Sequence, residues 1–386
     1  MITRSSLGDA YPIDKLGNVV EFLDNMRRPV TESERISGPY PYYGANGIQG
    51  TINDFIFDEP LVLLAEDGGH FDNPDRGIAY RVSGRTWVNN HAHVLRPRRN
   101  IDINYLCRVL ENYDVKPFVT GTTRGKLTKG GASEIPIPLP PLPEQRRIAA
   151  VLDKADALRA KRRETLAQLD DLTQSIFIEM FGDPVANPKG WPITKVASFL
   201  LDVTNGLTRR RSEVEDGEHI VLRLRDIRSE SIDFSTPNRI TLNEKEKAKY
   251  QVSPGELLFI RVNGNPEYVG RCALFEGHPE QVFFNDHVMR VRLKAGLTGG
   301  YLSHFLNRPE GKKEIAKHRK TSARQHTINQ DGLGAIALPL PDESLQNQFL
   351  DRVFALRKMA SVQIDALDKL GALFTSLQHR AFRGEL

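Results

Sequence analysis

The stretch "IPIPLPPLPEQRRI", beginning at Ile135, runs a ladder of prolines straight into a charged segment with apolar residues at helical spacing. A related stretch, "IALPLPDESLQNQF", begins at Ile336, an offset of 201 residues. A core strand excludes so many prolines, because each one removes a ladder donor. Extended backbone leading into a helix accommodates them, and Pro143 suits a first turn, where its missing N–H costs nothing. The pattern predicts a hinge of extended chain feeding a long helix, used twice.

Past the first prolines, Ile148, Val151, Leu152, Ala155, Leu158, Leu166, Leu169, Leu172 and Ile176 recur every three or four residues. That is the stripe of an amphipathic helix, expected from about residue 143 to 181 and stopped by Gly182 and Pro184. The same offset gives a second stripe of Phe349, Val353, Leu356, Met359, Leu367, Leu370, Leu373 and Leu377. Gln145/Gln346, Leu166/Leu367, Ser175/Ser376 and Phe181/Phe382 fall in register. The cheapest partner for each stripe is the other, which uses up both apolar faces. Duplicated globule–helix units related by a pseudo-twofold axis would lay the helices antiparallel. Arg162 and Gln363 would then meet as a polar layer at mid-stripe, or Arg162 would snorkel off its edge.

The segments between the helices mix short β-type runs ("LVLLAE", "HVLRP", "ELLFIRV", "HVMRVRL") with glycine turns and a following helical run. They echo each other at "YPIDKLGNV" and "WPITKVASF", and at "NNHAHVLR" and "FNDHVMRV". The expected fold class is α+β, with two twisted, partly barrel-like β-rich domains at 1–142 and 184–341. Helices at 143–183 and 342–386 follow them.

No apolar run approaches the ~18 residues a bilayer span needs, and the start, "MITRSSLGDAYPID", lacks a signal-peptide core. Cys107 and Cys272 are the two cysteines, too far apart in sequence for a disulfide framework or a zinc site. A cytoplasmic protein without a membrane partner is expected. Net charge is +4, with the excess concentrated: 24 Lys/Arg against 18 Asp/Glu over 184–341, but 16 against 17 over 1–142. A basic second domain suits a polyanion, or is simply a solvated basic face.

Motifs for catalysis are missing. "GTTRGKL" at 121–127 is one residue short of a phosphate-binding loop and has Leu127 where a Ser/Thr belongs. Neither an adenine-pocket motif nor a glycine-rich methyl-donor loop is present in the sequence. Asp286 with Glu310 and Lys312 imitates a nuclease constellation only at chance spacing. His91 and His93 would need further ligands to hold a metal, and His287 echoes His91, which favours a shared role in the fold.

With "IPIPLPPLPEQRRIAAVLDKADAL" at 135–158, "SIFIEMFGDP" at 175–184, "LPLP" at 338–341 and "AFRGEL" at 381–386, the chain resembles the specificity subunits of type I restriction–modification systems. The resemblance implies two target recognition domains, each reading one half of a split DNA sequence, separated by two long antiparallel spacer helices that form an intramolecular coiled coil. It implies a non-catalytic chain in defence against foreign DNA. Its partners would be double-stranded DNA, two methyltransferase (modification) subunits and restriction/translocase subunits. S-adenosylmethionine, and ATP and Mg²⁺ for restriction, would be bound by those partners and none by this chain. The alternatives are a recognition protein of a related methylation-based defence system and a coiled-coil adaptor that binds no DNA. The sequence departs from the family pattern in its degraded second entry, "PDESLQNQ", and in "LVLLAEDGGHFDN", where relatives often have an Arg-bearing turn.

DNA readout needs side chains that chelate base edges, flanked by phosphate-binding cations. The candidates in the second domain are Arg261, Asn263 and Asn265 in "IRVNGNP" and Arg324, Gln325 and His326 in "TSARQHTIN". Arg209, Arg210, Arg211 and Lys317 add positive charge there. In the first domain they are Thr122, Thr123, Arg124 and Lys126, with Tyr43 and Asn46 on a presumed mobile loop, "YPYYGANGIQG". Arg146, Arg147, Arg159 and Arg163 on the polar helix faces are the candidate contacts to the modification partners.

Overall fold

The structure is a computed structural model that describes residues 2–73, 76–121, 125–209, 217–322 and 325–386. The chain divides into two compact units, Met1–Leu166 with Val362–Leu386, and Ala167–Ser361. Two long helices, α4 (Leu142–Phe181) and α9 (Glu343–Arg383), each contribute to both.

In the first unit β1 (Ile13–Lys15) leads through α1 (Leu16–Val19) into a four-stranded antiparallel sheet. Its order is β2 (Val20–Phe22), β9 (Ala92–Pro97), β6 (Leu61–Ala65), β7 (Ala79–Val82). A second sheet is ordered β4 (Gly47–Ile52), β3 (Tyr40–Gly44), β8 (Arg85–Val88), β5 (Phe57–Asp58), with β3 and β8 parallel. All five residues of β6 are buried, which suits a central strand covered on both faces. Helix α2 (Ile103–Leu110) lies against β6 and β7, with Asp102 capping its first amides. Helix α3 (Lys129–Ser133) follows, capped by Thr128, and β10 (Pro136–Pro138) ends the globule.

The second unit repeats this plan. β11 (Ile193–Lys195) precedes a sheet ordered β12 (Leu200–Asn205), β19 (Val288–Leu293), β15 (Leu257–Ile260), β17 (Cys272–Leu274). Another has β14 (Arg239–Ile240), β13 (His219–Leu222) and β18 (Val282–Phe284), with β13 and β18 parallel. Helix α5 (Glu244–Tyr250) precedes β15, and a small added sheet joins β16 (Val262–Asn263), β21 (Gln325–Thr327) and β20 (Lys320–Ser322). The helical run after β19 breaks at Arg308 into α6 (Gly299–Asn307) and α7 (Pro309–His318), since Pro309 starts a helix but cannot continue one. α8 (Gln330–Ala335), capped by Asn329, leads to β22 (Ala337–Pro339). Instead of the expected partial barrels, the strands form separate small sheets; among the described residues no sheet closes on itself.

The proline stretches are not hinges. β10 pairs antiparallel with β1, Ile13 opposite Pro138, and β22 pairs with β11, Ile193 opposite Pro339. Bonds bracketing the first pair run from Leu16 N–H to the Ile135 carbonyl and from Leu139 N–H to the Pro12 carbonyl. The prolines alternate with these residues and so occupy positions that demand no N–H. Val196 to Ile336 and Leu340 to Pro192 repeat the arrangement. The prolyl carbonyls are also used: the Tyr105 hydroxyl donates to Pro138 at 2.9 Å and the Tyr301 hydroxyl to Pro339 at 2.8 Å.

At each helix start a buried glutamine ties helix to globule. The Gln145 amide donates to the Asn100 and Pro140 carbonyls while its oxygen accepts from Asp102 N–H. Gln346 donates to Gly296 and Pro341 and accepts from Thr298. Each globule core then takes in the start of one long helix and the end of the other. The first contains Ile148, Leu152 and Ala155 with Phe374, Ala381 and Phe382; the second contains Phe349 and Val353 with Phe177, Met180 and Phe181. Within the first unit the helices run antiparallel: Arg147 donates to the Leu386 carbonyl, Arg159 covers the Phe374 ring, and Arg162 donates to Gln363.

The apolar stripes are not used up by this pairing. Leu158, Leu172, Met359 and Leu373 remain exposed, as do Phe354, Val362 and Ile364. Two helices without a third layer bury one narrow face each, and these residues lie off it. Among the described residues no helix is long and apolar enough to cross a membrane.

Truncating either glutamine leaves buried backbone groups unpaired. Gln346→Ala and Gln145→Ala should each cost about 2–4 kcal/mol, measured as a drop in the urea midpoint of the full chain. Gln346→Glu should also destabilise, because it keeps the acceptor but loses both amide donors.

Candidate nucleic-acid interface

The same backbone frame stands at one place in each globule. A turn of sequence Asn-x-His follows the strand parallel to β3 or β13. Asn89 Oδ1 accepts from His91 N–H at 2.8 Å, and Asn285 Oδ1 from His287 N–H at 3.3 Å. Beyond the end of β6, Glu66 N–H donates to the His91 carbonyl at 2.9 Å and the Glu66 carbonyl accepts from Leu127 at 2.7 Å. Beyond β15, Arg261 N–H donates to His287 at 3.0 Å and its carbonyl accepts from Ile328 at 2.9 Å. Glu66 and Arg261 are therefore equivalent positions, and the segments ending at Leu127 and Ile328 are equivalent loops.

In the second globule this frame gathers most of the expected readers. Asn263 lies opposite His326 in the small sheet, with Gln325 beside it, so the two loops that are distant in sequence form one surface. The Arg261 guanidinium donates to the Asp286 carbonyl at 3.0 Å and is half-buried. Asn263 Oδ1 accepts from Asn265 N–H and Asn265 Oδ1 from Glu267 N–H, local turns that hold both side chains while leaving their amide NH₂ groups available. The His326 Nδ1 lies 2.9 Å from the Thr321 hydroxyl. Lys317, in the last turn of α7, is exposed and pairs with Glu314, and Arg209 pairs with Glu246 at 2.6 Å. Arg210, Arg211 and Arg324 lie outside the described residues.

The first globule places its candidates differently. Thr122, Thr123 and Arg124 lie outside the described residues. Lys126 forms the bridge that closes that loop, and its ammonium is 2.9 Å from Glu66. Tyr43 is not on a loop: it lies in β3, half-buried, its ring 5.8 Å from that of Tyr80. Alternation in "YPYYG" is strand alternation, with neighbouring Tyr42 buried and its hydroxyl bonded to the Val30 backbone. Asn46 is exposed in the turn between β3 and β4 and donates to the Gly68 carbonyl at 3.0 Å.

Beneath this surface Asp24, Glu66 and His93 stand close enough to suggest a metal site. The cations are already there. Arg27 reaches Glu66 at 2.5 Å and Asp24 at 3.5 Å, and Lys126 meets Glu66. His93 has Nδ1 on Asp24 at 2.6 Å and Nε2 on the Leu127 carbonyl at 2.7 Å, so both ring nitrogens are already engaged within the protein. Burial pushes the Asp24 carboxyl up, but His93, the Val94 amide and Arg27 outweigh it and hold it below the ordinary value. Glu66 likewise ends low, burial being outweighed by Arg27, Lys126 and His93. Burial pushes both cysteine thiols up to about 12, so neither offers a thiolate.

Of the expected partner contacts, Arg163 is exposed, Arg146 lies 3.7 Å from Asp102, and Arg147 pairs with Glu144. Arg159 is not available in the same way: its guanidinium sits 4.6 Å above the Phe374 ring and bonds Asp156 at 3.3 Å. Its position on α4 faces the other helix. Arg225, which the sequence analysis did not single out, is exposed after β13 with its Nε 3.6 Å from Asp226.

Removing Arg27 takes one cation from two carboxylates that keep His93 and Lys126, so Arg27→Met should cost about 1–3 kcal/mol at neutral pH. In the unaltered chain the depressed carboxyls give stability that is complete above their unfolded pKa. It is lost as pH falls through their lower native values, below about 4. The denaturant midpoint of the variant should therefore approach that of the parent as pH falls through this range.

A family model described as the type I restriction modification DNA specificity domain matches residues 11–169. The putative type I restriction enzyme specificity subunit S.HindORF215P of Haemophilus influenzae is 39% identical over 150 residues, covering 39% of this chain and 38% of its own. The StySPI specificity subunit of Salmonella potsdam is 28% identical over 388 residues, and the EcoKI specificity subunit of Escherichia coli 26% over 389; each alignment covers 90% of this chain and 82% of the relative. The fold matches the crystal structure of the S subunit of a type I system from M. genitalium, with TM-score 0.64 at 13% identity over 97% of both chains. A structure from work on assembly of the type I system gives 0.53 at 17% identity, covering 98% of this chain and 99% of that one. With the duplicated globule–helix plan, these matches make the chain similar along most of its length to the specificity subunits of type I restriction–modification systems.

Proposed function

We infer that the protein is the DNA-recognition subunit of a type I restriction–modification complex, non-catalytic itself, reading a two-part target with one globule per half. The observation that carries this is the repeated frame: one backbone arrangement, built twice, presents different side chains at equivalent positions. Backbone hydrogen bonds fix the loops, while the exposed side chains can specify different bases.

The chain works with DNA and with other subunits of its system. The finer assignment is two modification subunits, docked on the polar helix faces near Arg146, Arg147 and Arg163, with restriction subunits joining them. The exposed Leu158, Leu172, Met359 and Leu373 belong to that docking surface too, since apolar residues left off the helix seam gain from burial against a partner. S-adenosylmethionine, ATP and Mg²⁺ belong to the partners; the carboxylate–histidine cluster here is occupied by Arg27 and Lys126.

Arg261→Ala should relax specificity in one half of the target only, by about 1–3 kcal/mol at the affected base pair. Lys317→Ala should instead weaken binding to all sequences evenly, as a phosphate contact does. Mapping methylated sites in cells that carry the complete system with each variant measures both. Equal loss in both halves for Arg261→Ala would rule out one globule per half.

A further inference from the structure

The strand beside the Asn-x-His turn is bonded to that turn in the same way in both globules. The Tyr43 carbonyl of β3 accepts from Asn89 N–H at 3.0 Å, and the Leu222 carbonyl of β13 accepts from Asn285 N–H at 2.9 Å. Three residues beyond these carbonyls stand Asn46 and Arg225, both exposed. In the first globule this frame walls a concavity of about 400 Å³ lined by Arg35, Asn46, Gln49, Asp67, Asn90 and His91. Asn46 spends one amide hydrogen on Gly68. Arg225 has its Nε 3.6 Å from Asp226, and neither Nη is bonded among the described residues.

We propose that this third position after the bonded carbonyl reads a base in both globules: Arg225 a guanine, Asn46 with its neighbouring amides an adenine. The inference rests on the function given above. Both side chains could donate to a phosphate, but each also has the two-point geometry of a base edge. A guanidinium fork matches the O6 and N7 acceptors of guanine, and a carboxamide matches the N6 donor and N7 acceptor of adenine. The Asn-x-His turn supplies the rigid floor that such geometry needs.

The test maps methylated sites in cells carrying the complete system with Arg225→Ala, Arg225→Lys or Asn46→Ala. Arg225→Ala should lower the preference for guanine at one position of one half-site about tenfold or more. Arg225→Lys should do nearly the same, because it keeps the charge and loses the fork. Asn46→Ala should relax an adenine position in the other half-site. An unchanged motif, a uniform loss at all sites, or both residues acting on the same half would overturn the proposal while leaving the general function standing. If the unaltered chain directs no two-part motif, the function falls and the proposal with it. Both side chains are exposed, so unchanged urea midpoints should accompany these effects.

Discussion

Neither half of this sequence completes its own core. Phe382, at the end of α9, packs edge-on against Tyr105 in the first globule, and Phe181, at the end of α4, packs against Tyr301 in the second. Each tyrosine also reaches the carbonyl of a proline in its own β10 or β22 strand. Helix end, globule and helix start thus meet in one buried cluster per unit. The long helices need this anchoring, because their exposed middle turns bury too little apolar surface to hold a helix pair by themselves.

With the frame secured by backbone bonds and buried aromatics, equivalent positions can carry different side chains in the two globules. Glu66 and Arg261 share a backbone position yet differ in charge, and so do Asn46 and Arg225. In the first globule the position is bound into a network with Arg27, His93 and Lys126. In the second the arginine reaches one turn carbonyl. The mechanical role stays with N–H and C=O groups that every residue carries, which leaves side-chain identity open to recognition.

The 201-residue offset made the duplication, the two helices and the antiparallel pairing legible, because helical period and register survive in sequence. The role of the prolines was hidden. Their pairing partner lies more than 120 residues upstream, and a proline-rich strand becomes legible only when its opposite residue is known. Tyr43 was misplaced for the opposite reason: glycines in "YPYYGANGIQG" suggested a loop, while the alternation belonged to a strand whose parallel partner begins at Arg85. Local pattern also overstated helix burial, because a stripe shows what can be buried without showing how wide the partner is. Arg225 escaped notice because its place follows from the bond that Asn285 N–H donates to the Leu222 carbonyl, a long-range fact.

Charge completes the logic at the junctions. In the first unit Arg108 of α2 meets Asp153 and Asp156 of α4, at 2.7 and 3.2 Å. In the second the polarity is reversed: Arg357, equivalent to Asp156 by the offset of 201, meets Glu230 of the globule at 3.0 Å. Burial pushes the Glu230 carboxyl up, but His304, Arg357 and Arg308 together hold it low and charged. Exchanging the globules between helix starts would bring Arg108 beside Arg357 and Glu230 beside Asp156. Like charges at partly buried junctions are costly, so each globule is matched to its own helix by repulsion from the other. The duplicated frame supplies symmetry, and these inverted pairs keep the two halves from being interchangeable.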